Sequence, residues 1–160
     1  MANRDNAQGL VPAGVPLRQN SYVAGAAIYP GDPLTMNSSG LVVPAAAGDV
    51  LIGAAANAAS GSGKAVQVWD HPDQQFVAQA DDGTIAAQTD LGLNADIVAA
   101  QDSTYKVSRA QVDASTLAAT STLQLRVLRI EPAVGNALGS KVDVIVRINK
   151  HQLANNSAGV

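Results

Sequence analysis

Turn-forming residues interrupt this chain at short intervals, and their spacing limits what it can fold into. Clear turn sequences lie at residues 30–33 (Pro-Gly-Asp-Pro), 37–40 (Asn-Ser-Ser-Gly) and 81–83 (Asp-Asp-Gly). Short segments with β-type patterns lie between and after them, at residues 34–36, 41–43, 50–52, 65–70 and 75–79. Short strands about ten residues apart predict an all-β fold, a small β-barrel or β-sandwich-like domain.

The C-terminal third carries the strongest strand pattern. Every second residue from Val142 to Ile148 is apolar, and the residues between them are charged or polar apart from Ile145. This alternation predicts a half-buried strand whose valines face inward. Within residues 123–131 the apolar positions shift from odd to even numbers after Val127. That shift predicts a β-bulge, or a strand buried on both faces.

Helix-forming residues are concentrated in one place. Residues 110–119 contain several alanines and a possible N-cap at Asp113, but Ser and Thr residues interrupt and follow them. Ser and Thr side chains compete for backbone hydrogen bonds and weaken a long helix. We therefore expect a single helical turn or a loop here.

The chain divides into three segments. Residues 1–20 contain four Gly and Pro residues and show no sustained hydrophobic period, which predicts an extended N-terminal arm. Residues 21–153 carry the strand signals and are predicted to form a single β-domain. Residues 154–160 are predicted to be a loose tail, and in the isolated protein the arm could equally be a frayed terminus.

Composition excludes several classes of protein. There is no Cys, so there is no disulfide, thiolate metal site or Cys nucleophile. The net charge is −3 and the ten Lys and Arg residues are scattered, so we expect no nucleic-acid partner. No apolar run approaches the roughly 18 residues of a membrane span, so we expect no membrane partner. Only 14% of residues are charged, against roughly 25% in an average domain, which suits a subunit covered by neighbours.

No recognisable catalytic constellation is present. The Gly-rich residues 60–64 lack the first Gly and the Ser or Thr that a phosphate-binding Walker loop needs, and a hairpin loop is the better interpretation. His71 lies in a predicted turn, and His151 follows a strand end, where a surface or interface position is expected. A metal site needs several converging ligands, and no such set is evident. We predict no enzymatic activity, no catalytic residue, no metal and no cofactor.

Ordered motifs along most of the chain resemble the small head proteins of tailed bacteriophages that form the capsid decoration, or structural cement, family. The stretches that carry this resemblance are Met1-Ala2-Asn3-Arg4 with Gly9-Leu10, Gly31-Asp32-Pro33, Val68-Trp69-Asp70-His71-Pro72, Phe76-Val77-Ala78-Gln79, Asp90-Leu91-Gly92-Leu93-Asn94, Leu125-Arg126-Val127-Leu128, Asn136-Ala137-Leu138-Gly139 and residues 144–151. The Ala-rich residues 45–47 and 54–59 depart from the pattern.

The resemblance implies an all-β subunit on the exterior of an icosahedral capsid, made in the cytoplasm of a host bacterium and located in the virion. It implies the major capsid protein as partner, a homotrimer as oligomer, and a mechanical task with no catalytic residue. On such a shell the predicted arm would be an attachment element. The residues expected to contact the partner are Arg4, Leu10, Val11, Leu17 and Arg18.

Two alternatives remain open. One is another phage structural component of the tail or shell. The other is a carbohydrate-binding β-domain, although such sites present aromatic platforms and only 3% of these residues are aromatic. Of the few aromatic side chains, at least Trp69 or Phe76 is expected to serve the core.

Overall fold

The computed structural model describes residues 3–154 and 159–160. Within them the fold is all-β, as predicted, with sixteen strands. The strands are β1 (Val11–Pro12), β2 (Asn20–Val23), β3 (Pro33–Met36), β4 (Val42–Pro44), β5 (Gly53–Ala55), β6 (Ala65–Trp69), β7 (Gln75–Gln79), β8 (Thr84–Ile85), β9 (Asn94–Ala95), β10 (Ile97–Val98), β11 (Gln101–Asp102), β12 (Val107–Ser108), β13 (Gln111–Val112), β14 (Leu125–Ile130), β15 (Gly139–Ser140) and β16 (Asp143–Ile148).

Two antiparallel five-stranded sheets form the body. The first has the order β1-β7-β16-β14-β9 and the second the order β2-β6-β5-β3-β4. Three two-stranded sheets, β10-β13, β11-β12 and β15-β8, complete the fold. The chain leaves the first sheet for the second between β1 and β2, and returns to the first sheet between β6 and β7. Accordingly, β1 pairs with β7 in the first sheet and β2 pairs with β6 in the second.

The second sheet closes on itself. Ala24, which follows β2, forms a parallel bridge with Val42 of β4, and the amide of Gly25 donates to the Val42 carbonyl at 2.8 Å. A separate core fills the interior of this ring. It consists of Ala24, Ile28, Leu34, Val42, Ile52, Ala55, Ala59, Val66 and Val68, all buried. Small and β-branched side chains suit an interior as narrow as that of a five-stranded ring.

The first sheet packs over the larger core, and its register matches the sequence pattern. Val144 and Val146 are fully buried, whereas Asp143 and Arg147 are half-buried. The pairing of β14 with β16 slips between Val127 and residue 129. The predicted inward-facing strand and the predicted bulge are both confirmed.

Regular helix is confined to two single turns in the described residues, the 3-10 helices Gln88–Asp90 and Ala114–Thr116. The second is the helical turn expected within residues 110–119, and the Asp113 carboxylate caps it by accepting from the amide of Ser115. No helix in the described part of the chain has the length and apolar character needed to span a membrane.

The N-terminal segment is extended, as expected, but it packs on the body of its own chain. Ala7 and Leu10 are buried, and Leu10 belongs to the larger core. The predicted boundary at residue 21 therefore does not separate an arm from a domain. The physical reason is that the larger core extends to the N-terminal segment, where the buried side chain of Leu10 packs with the rest of that cluster.

Two other predictions concern the C-terminal residues. His151 was expected at the surface or an interface, but its side chain is buried and its backbone bridges to Leu51. This expectation is wrong because the chain continues past β16 and pairs with Leu51, just before β5. Of the tail predicted at 154–160, residues 155–158 lie outside the described residues.

Candidate partner-binding surface

Four apolar side chains are exposed between the edges of the two large sheets. Val15 is 86% exposed and Leu17 58%, and they are flanked by the partly exposed Val11 and Val23. We call residues 11–23 the apolar strip. Several exposed apolar residues within one short segment mark an interaction surface more often than a single one does.

Hydrogen bonds hold the apolar strip against the body. Val11 pairs with Val77 across β1 and β7, and the amide of Ala13 donates to the Gln75 carbonyl at 3.0 Å. The amide of Leu17 donates to Oε1 of the buried Gln74 at 2.8 Å. The strip is thus an ordered part of the surface, although its sequence has the Gly and Pro content of a loop.

A buried carboxylate fixes the far end of the strip. Asp70, directly after β6, accepts hydrogen bonds from Arg18 Nε at 2.8 Å, from Asn20 Nδ2 at 2.9 Å and from the Tyr22 hydroxyl. Its side chain is completely buried, while that of Arg18 is 42% exposed. All three donors lie in or next to β2, so this cluster ties β2 to the turn that leads from β6 into β7.

The electrostatics of this cluster favour an ionised aspartate. Burial alone would raise the pKa of Asp70, but the hydrogen bonds from Tyr22, Asn20 and Arg18 outweigh burial and lower it. Burial, followed by the hydrogen bond to Asp70, raises the pKa of Tyr22 to about 12. Tyr22 therefore stays a hydrogen-bond donor at neutral pH. Arg18, the one charged residue between Val11 and Val23, is neutralised by Asp70.

The structure distributes the five predicted contact residues over different environments. Val11, Leu17 and Arg4 reach the surface. Leu10 is 2% exposed and fills the core, so the expectation that it contacts a partner is wrong for this fold. Arg18 was expected to meet acidic groups on a partner, but its guanidinium already pairs with Asp70 of its own chain.

Sequence reasoning missed Val23 as a surface residue. It lies at the end of β2, where it pairs with Ala65 and follows the half-buried Tyr22. Strand alternation places neighbours on opposite faces, so a strand assigned to residues 20–23 would have placed Tyr22 and Val23 on different sides. The signal was present, but the strand itself was not assigned.

Elsewhere the buried polar residues have structural roles. Asp32 is buried in the turn before β3, accepts from the Tyr29 amide at 2.7 Å, and has a pKa raised by burial. It also accepts from Gln101 Nε2 and so fastens β11 to this turn. In residues 3–154 and 159–160, no three His, Cys, Asp or Glu side chains come together in a way that could hold a metal ion.

Comparison with protein-family models finds no matching family. Comparison with curated proteins finds no matching relative. What the chain does is therefore inferred from its surface and from the ordered motifs of its sequence.

Proposed function

We propose that this protein is a structural component of a virion that binds the outer surface of a phage capsid and cements neighbouring capsomers. The observation that carries the proposal is the apolar strip, an ordered surface on which Val15 and Leu17 are exposed and the one charged residue, Arg18, is paired with Asp70. The motifs shared in order with capsid decoration proteins select the major capsid protein as the partner. A homotrimer on the capsid exterior is part of the same proposal.

The strip is suited to adding strength to a shell. Burying apolar surface contributes roughly 25 cal/mol per Å² removed from water. Residues 11–23 are already ordered by their contacts with β7, β6 and Asp70. Binding therefore avoids the loss of backbone entropy that ordering a disordered arm would cost, about 1–2 kcal/mol per residue. A subunit that bridges two capsomers adds interface area that must be broken before internal DNA pressure can open the shell.

Co-sedimentation with purified capsids that lack this protein tests the proposal. We expect the double variant Val15→Asp with Leu17→Asp to bind at least about tenfold more weakly, because two carboxylates would be desolvated in the interface. The matched control is Val134→Asp, the same substitution at a fully exposed valine in the loop between β14 and β15. Both proteins should keep the melting temperature of the parent.

The mechanical part of the proposal has its own measurement. Capsids filled with DNA should release it at a higher temperature when the parent protein is added, and the double variant should give a smaller increase. If the parent protein sediments with isolated tails and not with capsids, the chain is another structural component. If the double variant binds capsids as tightly as Val134→Asp does, the apolar strip is not the contact.

A further inference from the structure

A groove of about 450 Å³ lies beside the N-terminal segment, apart from the exposed centre of the apolar strip. One wall is formed by Asn6 and Gln8 of the extended segment that precedes β1. The other wall is the hairpin of β11 and β12, with Tyr105 in its loop and Arg109 just after it. Trp69, the last residue of β6, contributes to the lining between them.

Burial alternates along the first wall, where Ala7 and Gly9 are buried and Asn6 and Gln8 are exposed. In the second wall Ser108 is buried, and its neighbours Val107 and Arg109 line the groove. Tyr105 lies in the turn that joins β11 to β12 and also lines the groove. The two walls are joined directly, because Arg109 Nη1 donates to the carbonyl of Ala7 at 3.0 Å. The groove is therefore formed without a ligand, as binding sites for small molecules usually are.

The polar groups of the groove are free to bind. The side chains of Asn6 and Gln8 are exposed, and neither side-chain amide has a hydrogen-bond partner within the residues that the structure describes. The backbone amide of Asn6 donates to Gln79 Oε1. The indole Nε1 of Trp69 is buried and likewise has no partner in that part of the chain. Tyr105 is 75% exposed, which is unusual for an aromatic side chain and leaves a ring face available for stacking.

The charges of the groove favour a neutral ligand. Arg109 is its one charged lining residue, and Asp102 pairs with that guanidinium at 3.7 Å. A phosphate-containing ligand such as a nucleic acid would require several unpaired cations. A neutral sugar ring fits better, since it offers an apolar face to Tyr105 and pairs of hydroxyls to the planar amides of Asn6 and Gln8.

We propose that this groove binds a neutral saccharide, with Tyr105 as the stacking platform and Asn6 and Gln8 as hydrogen-bond partners of the sugar hydroxyls. Val11 lines this groove and also begins the apolar strip, so the two surfaces adjoin. The sugar site is tested on the free chain and does not depend on capsid attachment. This groove differs from a sugar site with several aromatic platforms. Phe76 is fully buried, and the aromatic residues that line the groove in the described part of the chain are Trp69 and Tyr105.

The chain contains a built-in reporter for this proposal, because Trp69 is its single tryptophan. Titration with maltotriose, cellotriose and the trimer of N-acetylglucosamine, each up to about 10 mM, should give a saturable change in tryptophan fluorescence with at least one of them. Tyr105→Ala should weaken that binding about threefold to tenfold, the loss expected for one stacked ring. Gln8→Ala should weaken it as well, while its exposed position leaves the melting temperature unchanged.

Two controls and three contrary outcomes complete the experiment. Tyr105→Phe keeps the ring and should retain the affinity, and Val134→Ala lies outside the groove and should bind as the parent does. No saturable response to any of the three sugars would overturn the proposal. So would equal affinity of the parent and Tyr105→Ala for the sugar. Saturation by decaproline but by no sugar would overturn it too, and would identify the groove as a peptide site. The sugar titration and the capsid co-sedimentation assay are independent, so failure of one proposal can be told from failure of the other.

Discussion

The guanidinium of Arg18 donates a 2.8 Å hydrogen bond to the carboxylate of Asp70, whose side chain has no exposure to solvent. A second bond from Arg18 Nη2 reaches the backbone carbonyl of Asp70 at 3.1 Å. One arginine thus binds both the side chain and the backbone at the end of β6. This contact fastens the surface on which the proposed capsid contact depends.

Asp70→Asn should lower the free energy of unfolding by about 2–3 kcal/mol. The Asn side chain has no charge, and its NH₂ group would face at least one of the donors Arg18, Asn20 and Tyr22, so that a hydrogen bond is lost. Hydrogen bonds to a charged group are worth about 1.5–3 kcal/mol each. Urea unfolding measures the loss. Asp73→Asn is the matched control, because that carboxylate is exposed and 3.7 Å from Arg147, and should change stability by less than about 0.5 kcal/mol. Equal stability of the two variants would contradict a stabilising role for the buried cluster.

His151 should make the protein less stable as the pH falls from 6.5 to 4. Its Nδ1 accepts from the Leu153 amide at 3.0 Å, and burial lowers its pKa from 6.5 to about 4. The unfolded chain therefore binds a proton in this range that the folded chain does not, which favours unfolding by as much as about 3 kcal/mol at pH 4.

Urea unfolding of the parent and of His151→Gln across this pH range isolates the effect. The variant should show a smaller loss of stability between pH 6.5 and 4 than the parent does. Burial raises the pKa values of Asp32 and Asp143, which act in the opposite direction and are common to both proteins. Parallel pH profiles of the parent and His151→Gln would show that His151 does not carry this dependence.

Gly9→Ala should loosen the N-terminal segment. A Cβ at Gly9 would lie 2.1 Å from the carbonyl oxygen of Gly31, and the backbone φ there is +73°. Gly14→Ala is the matched control, because its φ of +81° is similar but its surroundings are open. We expect about 1–2 kcal/mol of destabilisation for Gly14→Ala from the left-handed conformation alone, and clearly more for Gly9→Ala. Amide exchange in residues 3–12 should rise only in the Gly9 variant, and similar exchange in both would contradict the close packing.

Leu10→Ala should cost about 2–5 kcal/mol of stability, the usual range for a buried leucine. Leu17→Ala removes the same atoms from an exposed position and should change stability by less than about 0.5 kcal/mol. Thermal unfolding of both variants checks the difference.

A chain that begins at Ser21 should unfold at a markedly lower temperature, because it lacks Leu10, β1 and the Arg18 contact with Asp70. An unchanged melting temperature would mean that the segment is an independent arm after all.

Much of the fold could be predicted because local patterns agree with it. The alternation from Val142 to Ile148 became β16, the shift after Val127 became a bulge, and the weak helical signal near Asp113 became one helical turn. Each of these patterns depends on side chains within one short segment, where the period of the strand alone decides which face is buried. The candidate site was harder to predict. Four of the five predicted contact residues are exposed, but one of these, Arg18, pairs with Asp70 of its own chain, and Leu10 is buried in the core.

The fold class, the inward face of β16 and the absence of cysteine chemistry could all be predicted, because composition needs no structure and strand period is a property of one short segment. Long-range packing established that Leu10 fills the core, that Arg18 pairs with Asp70 across 52 residues of chain, and that Asn6 and Tyr105 line the same groove. These contacts join segments that are far apart in the sequence and that no local hydrophobic pattern relates to each other. An irregular segment such as residues 1–20 has no hydrophobic period from which its packing partners could be predicted. Its position depends on contacts with the rest of the chain, namely the core that Leu10 enters and the buried carboxylate that Arg18 binds.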